Sequence, residues 1–287
     1  FRMEAQALSQ TLMGDDDDGL VFRDVLLEDC SAVAELYAQA FRNNPSYCSI
    51  FQKDRGSADH IDSLTWLMKK RCEIFVSKRS AEVNPVVFTL CENCEGEGDE
   101  KKNKILVGAI AYSPVEAAAT IWDHLLHGIA LWPFQFGFAS LQRALSLGDK
   151  LDNIVAQKNL QPSAEIHMMA VKPGLQGRRI GTRLISSVLK EVDAKISNFN
   201  SRRKGGAEKK NVILLQTQLK INVTFYQRFG FKEIAEEKTP IDWPEWKRGP
   251  ATADTSGDAI AIAVAEKEIY NDASTEYSSF YMVRETK

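Results

Sequence analysis

The sequence holds no apolar run near the roughly 20 residues that cross a bilayer, so no membrane span is expected. It holds no surplus of positive charge: 36 Lys and Arg stand against 39 Asp and Glu, giving a net charge of -3. That balance gives no reason to expect nucleic acid as a partner. Cysteine is scarce and odd in number, five in 287 residues, which does not suit a disulfide framework. Cys91 and Cys94 form one CxxC inside an acidic stretch, with no second CxxC or spaced Cys/His pair to complete a four-ligand zinc site. A redox CxxC would favour a helix start, so both are expected to be loop cysteines without chemistry. His124 and His127 share a helix face, but no Glu completes HExxH, and no metal is expected. A basic-then-apolar leader is absent at the start of the sequence, and a cytoplasmic location is the expectation.

Hydrophobic residues make up 44% and charged residues 26%, the balance of an ordinary globular protein. The length suits one generous core carrying insertions. Residues 1–19, with Asp15–Asp18 in a row, are expected to form a flexible arm because adjacent like charges resist packing. Residues 20–287 are expected to be a single domain with insertions near 92–104, 116–160 and 237–275.

Strand composition falls at Val21–Leu27, Glu73–Ser77, Val86–Cys91, Leu106–Tyr112, Glu165–Val171, Val212–Leu215, Phe231–Ala235, Ile260–Val264 and Phe280–Arg284. Helical spacing falls between them. Val33, Leu36, Tyr37, Ala40 and Phe41 follow possible caps at Asp29 or Ser31, and His60–Lys70 is a second helix. Residues 116–150 are mainly helical, with Phe138, Leu141 and Leu145 at 3/4 spacing. The aromatics Trp122, Trp132, Phe134 and Phe136 lie there too, either as core or as the wall of a cavity. Ile180, Leu184, Ile185, Val188, Leu189 and Val192 mark one apolar helix face. This order predicts a mixed α/β fold.

The sharpest local signal is Val171–Leu184. Pro173 stops a strand, Gly174, Gly177 and Gly181 permit tight turning or close approach, and a helix then opens with unpaired N–H groups. Those groups and the helix dipole favour an anion. Arg178 and Arg179 add charge of the right sign; without an anion they would oppose the dipole. The glycines match neither GxGxxG nor GxxxxGK[ST]. A second signal is Asn222–Phe231, where Asn222 can cap a short helix closed by Gly230. Tyr226 there is either a packed aromatic or a phenol able to give a proton to a developing anion. The basic stretch Ser201–Lys210 reads as a solvated loop within reach of phosphate.

Together these segments resemble the GCN5-related N-acetyltransferase (GNAT) superfamily. Val171-Lys-Pro followed by Gln176-Gly-Arg-Arg-Ile-Gly181 is similar to its Gln/Arg-x-x-Gly-x-Gly/Ala motif, with Arg179 in place of the middle glycine. Asn222, Tyr226, Gly230 and Phe231 match its later Asn-x-x-x-Tyr-x-x-x-Gly-Phe pattern.

The resemblance implies a mixed, mostly antiparallel sheet flanked by helices, and acetyl-CoA lying in a splay between the Met168–Val171 and Val212–Leu215 strands. Backbone groups of Met169, Ala170 and Val171 would meet the pantetheine arm. Amides of Gln176, Gly177, Arg178, Arg179, Ile180, Gly181 and Thr182 would meet the pyrophosphate, and Asn222 and Tyr226 the inner end. Tyr226 is the candidate general acid. Glu165 and His167, two apart and so on one face, are the candidate bases. The expected reaction is direct acetyl transfer to a primary amine of a small molecule, by a monomer or homodimer. A peptide or protein acetyltransferase and a non-catalytic acyl-CoA-binding module are the alternatives.

Overall fold

The computed structural model describes residues 20–53, 56–77, 87–95, 103–114, 121–160, 162–202, 212–240 and 276–285. Strands β1 (Leu20–Asp24), β2 (Val87–Glu95), β3 (Asn103–Pro114), β4 (Pro162–Val171), β5 (Val212–Thr217), β6 (Lys232–Pro240) and β7 (Glu276–Glu285) form one sheet in the order β1-β2-β3-β4-β5-β7-β6. Every neighbouring pair is antiparallel except β4 and β5, which run parallel. The fold is the mixed, mostly antiparallel α/β sheet that the sequence led us to expect.

Each face of the sheet buries its own apolar cluster. On the first face lie helices α1 (Cys30–Phe41), α2 (Pro45–Phe51) and α3 (Ala58–Ser77). Val33, Ala34, Tyr37 and Ala38 of α1 pack with Leu64, Leu67, Met68, Cys72 and Phe75 of α3 over Ala109 and Ala111 of β3. On the second face lie α7 (Ile180–Arg202) and α8 (Lys220–Gln227). The six apolar positions of α7 singled out in the sequence are all buried there, against Val107, Ile110, Tyr112, Ile213 and Leu215. Between β3 and β4 the chain adds α4 (Ile121–Leu126), α5 (Trp132–Phe136) and α6 (Phe138–Gln157).

Several expectations are corrected. Glu73–Ser77 is no strand but the last turn and more of α3, because Cys72 and Phe75 continue the buried stripe of Leu64 and Met68 at 3/4 spacing. Tertiary burial overrides the local β propensity there. Cys91 and Cys94 lie in β2, not in a loop: Cys91 pairs in register with Phe22 and Gly108, and Cys94 with Lys104.

Asp29 makes no side-chain cap to α1. Its carboxylate instead takes the Leu26 N–H (2.7 Å) and a two-pronged bond from Arg23 (2.6 and 2.8 Å). Phe138 and Leu145 are exposed, and only Leu141 of that trio packs on the first core. Of the aromatics, Trp132 is buried, with its indole N–H on Ser140 Oγ, and Phe136 packs beside it; Trp122 and Phe134 are exposed. The arm 1–19, the strand expected at Ile260–Val264, and most of Ser201–Lys210 lie outside the described residues.

Candidate active site

The site begins with an irregularity in β4. Ala111 is in register with Met168, and Tyr112 with Ile166, so His167 is one residue too many for its neighbour. An extra residue of this kind bends the strand and reverses the alternation beyond it. The burial shows the reversal. Ala164 and Ile166 belong to the second core, whereas Met168 and Ala170 belong to the first.

Beyond the bulge, β4 and β5 part. Their last registered pair is Ile166 with Leu215, although β4 runs on to Val171 and β5 to Thr217. Lys172 donates its N–H to the Val107 carbonyl (2.8 Å), on the β3 side. Amides alternate along an antiparallel ladder. Ala170 therefore faces β3 as Lys172 does, while Met169 and Val171 turn their N–H and C=O toward the gap. Extended peptide groups without a strand partner are ready to bind an amide-bearing chain. Ala170 was expected among the contacts, but its peptide groups point the other way.

At the mouth of this gap stands the turn before α7. Gly174 and Gly177 have φ of 83° and 81°, and the Gly174 N–H is held by Gln176 Oε1 at 2.8 Å. Arg179 has φ of 60°, in the left-handed region that favours glycine. The arginine thus adopts the conformation for which the motif uses glycine, and the turn closes with Arg183 N–H on the Arg179 carbonyl (3.0 Å). The first amides of α7, from Ile180 to Thr182, have no partner inside the helix. Arg178 is exposed beside them. Gly181 tucks against Val171, Phe225 and Met169: a Cβ there would stand 3.5 Å from Val171 Cγ2. Turn, helix end and open strand edge together form a cradle suited to a phosphorylated, amide-bearing cofactor.

Side chains of opposite kinds flank the gap. Glu165 and His167 share a face, with Oε1 and Nδ1 3.2 Å apart, and their side chains remain 28% and 15% exposed, so a ligand can reach them. The His167 ring stacks on Phe75 of α3, centroids 5.2 Å apart. Burial pushes the Glu165 carboxyl up, but His167, by charge and hydrogen bond, and the Arg71 guanidinium outweigh it and hold the acid below the usual range.

From the opposite face Tyr226 enters on α8, its ring edge-on to Phe225 and Phe231. Burial alone raises its phenol well above the ordinary value, so it stays protonated at neutral pH. Asn222 is in the third position of α8 and does not cap it: its Nδ2 donates to Thr217 Oγ1 (3.1 Å), fixing the end of β5.

Two residues escaped the sequence reading. Tyr37 of α1 donates its hydroxyl to the Met168 carbonyl (3.5 Å), next to the bulge. Burial raises this phenol too, and Tyr226 is near enough to add to the shift, so phenols from both faces meet where the strands part. Asn44, whose side chain caps the start of α2, donates to Gln218 Oε1 (3.1 Å), the residue that follows β5. Neither lies in a motif, and no periodic signal marks them as more than core or cap. Among the described residues no cluster of three or more His, Cys, Asp or Glu could hold a metal, and no helix is long and apolar enough to cross a membrane.

The family described as the Acetyltransferase (GNAT) domain matches residues 137–233, from the start of α6 through β4, α7, β5 and α8 into β6. No curated protein matches. Among solved structures, the chain is similar to the PaiA N-acetyltransferase of Thermoplasma acidophilum in complex with coenzyme A. Identity is 13%, coverage 93% of this chain and 98% of that one, and the TM-score 0.43. It is also similar to a histone acetyltransferase HPA2 and related acetyltransferase of Corynebacterium glutamicum (12%, 94% and 97%, TM-score 0.47). A third is the polyamine N-acetyltransferase of Drosophila melanogaster (13%, 93% and 99%, TM-score 0.44). Residues 137–233 of the chain thus match a GNAT acetyltransferase domain. That domain is the one of N-acetyltransferases, whose cofactor is acetyl-CoA.

Proposed function

We propose that the chain transfers acetyl directly to the primary amine of a small molecule, with the reaction at the inner end of the β4–β5 gap. One observation carries the reading: the Glu165 carboxylate, bonded to His167, stands on one side of that gap, and a buried, protonated Tyr226 on the other. Acetyl-CoA supplies the thioester acyl group when bound. The open peptide groups of Met169 and Val171 would hold its amide arm, and the amides of the Gln176–Thr182 turn would hold its phosphates. Asn222 keeps the end of β5 in place through Thr217, at the inner end of that seat.

The chain's own groups then divide the work. The cleft holds amine and acyl carbon together, which removes much of the entropic barrier. Glu165 or His167 takes the proton of the attacking amine, directly or through water. The Met169 N–H, pointing into the gap, is the donor placed for the carbonyl oxygen. Tyr226 gives its proton to the departing sulfur. The Asn44–Gln218 bond ties the start of α2 to the end of β5, and that tie supports a small acceptor over a long peptide.

The test is a panel of amines and lysine- or N-terminus-bearing peptides with acetyl-CoA, read as free thiol release. Turnover on small amines, with peptides inert, is the expected result. Turnover on peptides alone would overturn the small-acceptor reading. Tight CoA binding without transfer to anything would overturn the enzyme's proposed chemistry in favour of a binding module.

A further inference from the structure

Arg71 sits on α3 one turn before Phe75, on the side of that helix facing β4. Its guanidinium lies over the Phe75 ring, 5.9 Å from the centroid. The same ring stacks on His167, which in turn holds Glu165 at 3.2 Å. Arg71 therefore belongs to the wall of the acceptor side, one ring removed from the candidate base. Tyr47 of α2 stands on its other side: burial raises that phenol, and the Arg71 guanidinium counters the rise by charge and hydrogen bonding.

The guanidinium acts on the Glu165 carboxyl only through its charge. Among the described residues it makes no ion pair within 4.0 Å. The nearest acid in sequence, Glu73, is taken by Lys70 Nζ at 2.8 Å, and Glu165 is taken by His167. A half-buried arginine costs solvation that only a charged or bidentate partner returns in full. Its planar fork is matched bidentately by a carboxylate. The wall thus offers an acceptor two different attachment points, a carboxylate–imidazole pair for an amine and a cationic fork for an acid.

We infer that Arg71 binds a carboxylate on the acceptor, so that the substrates are amino acids or amino-acid-like amines rather than simple alkylamines or polyamines. This rests on the acetyl-transfer reading above. In that arrangement Arg71 determines specificity and does not take part in the chemistry. A polyamine would bring a second cation against the guanidinium and be disfavoured.

The experiment uses matched acceptors that differ by one carboxylate, each amino acid against its decarboxylated amine, with the full-length protein, Arg71→Met and Arg71→Lys. The wild type should favour the carboxylate-bearing member. Arg71→Met should raise KM for that member at least tenfold and cut its kcat/KM preference over the decarboxylated partner by about the same factor; any change in Glu165 acts on both members alike and cancels in that ratio. Arg71→Lys should restore part of the preference. Equal effects on both members, or a wild-type preference for the decarboxylated amine, would overturn the assignment. Calorimetric binding of each amino acid to the CoA-loaded protein gives a second readout that needs no turnover. If no acceptor is acetylated, the transfer reading fails, while carboxylate-dependent binding lost in Arg71→Met still upholds Arg71 and its absence still rejects it. A thermal melt of each variant separates misfolding from lost recognition.

Discussion

At the scale of single residues, the site couples a base kept ionised with an acid kept neutral. Removing the Tyr226 hydroxyl with Tyr226→Phe should leave CoA affinity within about twofold, because the cofactor's contacts are backbone groups. It should lower kcat by about 10²-fold or more, the usual worth of a positioned proton donor. Thiol-release kinetics beside CoA titration check both halves. Glu165 makes a claim about pH. Its folded-state acid is held below the ordinary 4.5, so its contribution to stability is complete above that value and is lost as pH falls through the lower folded one. Glu165→Gln should therefore melt below the wild type at neutral pH, and the two should converge below about pH 4; melts from pH 3 to 7 read this out. The cofactor residues were legible because backbone geometry dictates them. Even Arg179, out of place in the motif, takes the φ that the turn requires. Tyr37, Asn44 and Arg71 were not legible, since their significance comes only from which distant strand their helices cover.

At the scale of elements, α7 and the β3–β4 pair are fitted closely. Gly108 faces the helix: a Cβ there would meet Leu184 Cδ1 at 2.9 Å, Ile180 Cγ2 at 3.2 Å and the Ala170 carbonyl oxygen at 3.2 Å. Two of these atoms belong to side chains that can shift, but the third is backbone of the strand that bears the cofactor edge. Gly108→Val should destabilise the protein by about 1–3 kcal/mol through overpacking, and weaken CoA binding because α7 and β4 move apart. Chemical denaturation and CoA titration together test it. Helix α7 and strand β5 were readable from periodicity and apolar runs. The single extra residue at His167 was not, because a bulge leaves no mark in composition, and it is this residue that lets β4 and β5 diverge. The limits of α3 were misread for the converse reason. Glu73–Ser77 has local strand character, but its buried neighbours at 3/4 spacing decide the matter.

At the scale of the whole molecule, net charge and local charge have opposite signs. The chain carries -3 overall, yet Lys172, Arg178 and Arg179 lie in the turn before α7 and Arg183 in the first turn of that helix. Capture of a polyanionic cofactor should depend on that local field, so the CoA association rate should fall as ionic strength rises from 20 to 300 mM, with a much smaller change in the dissociation rate. Stopped-flow binding at several salt concentrations checks it. Fold class was legible from the alternation of strands and helices, whereas the order of strands was not. Strand β7, the last among the described residues, lies inside the sheet between β5 and β6, fastened to α7 by the two bonds of Arg284 to Asp193 (3.0 and 2.9 Å). Synthesis therefore leaves a vacancy. While the ribosome is still making residues beyond β6, the apolar edge of Val212–Leu215 waits for a neighbour that does not yet exist, and β6 has nothing to pair with. For those seconds the nascent chain holds an open strand edge, a template for unwanted pairing. The ten residues of β7 shut it when they emerge.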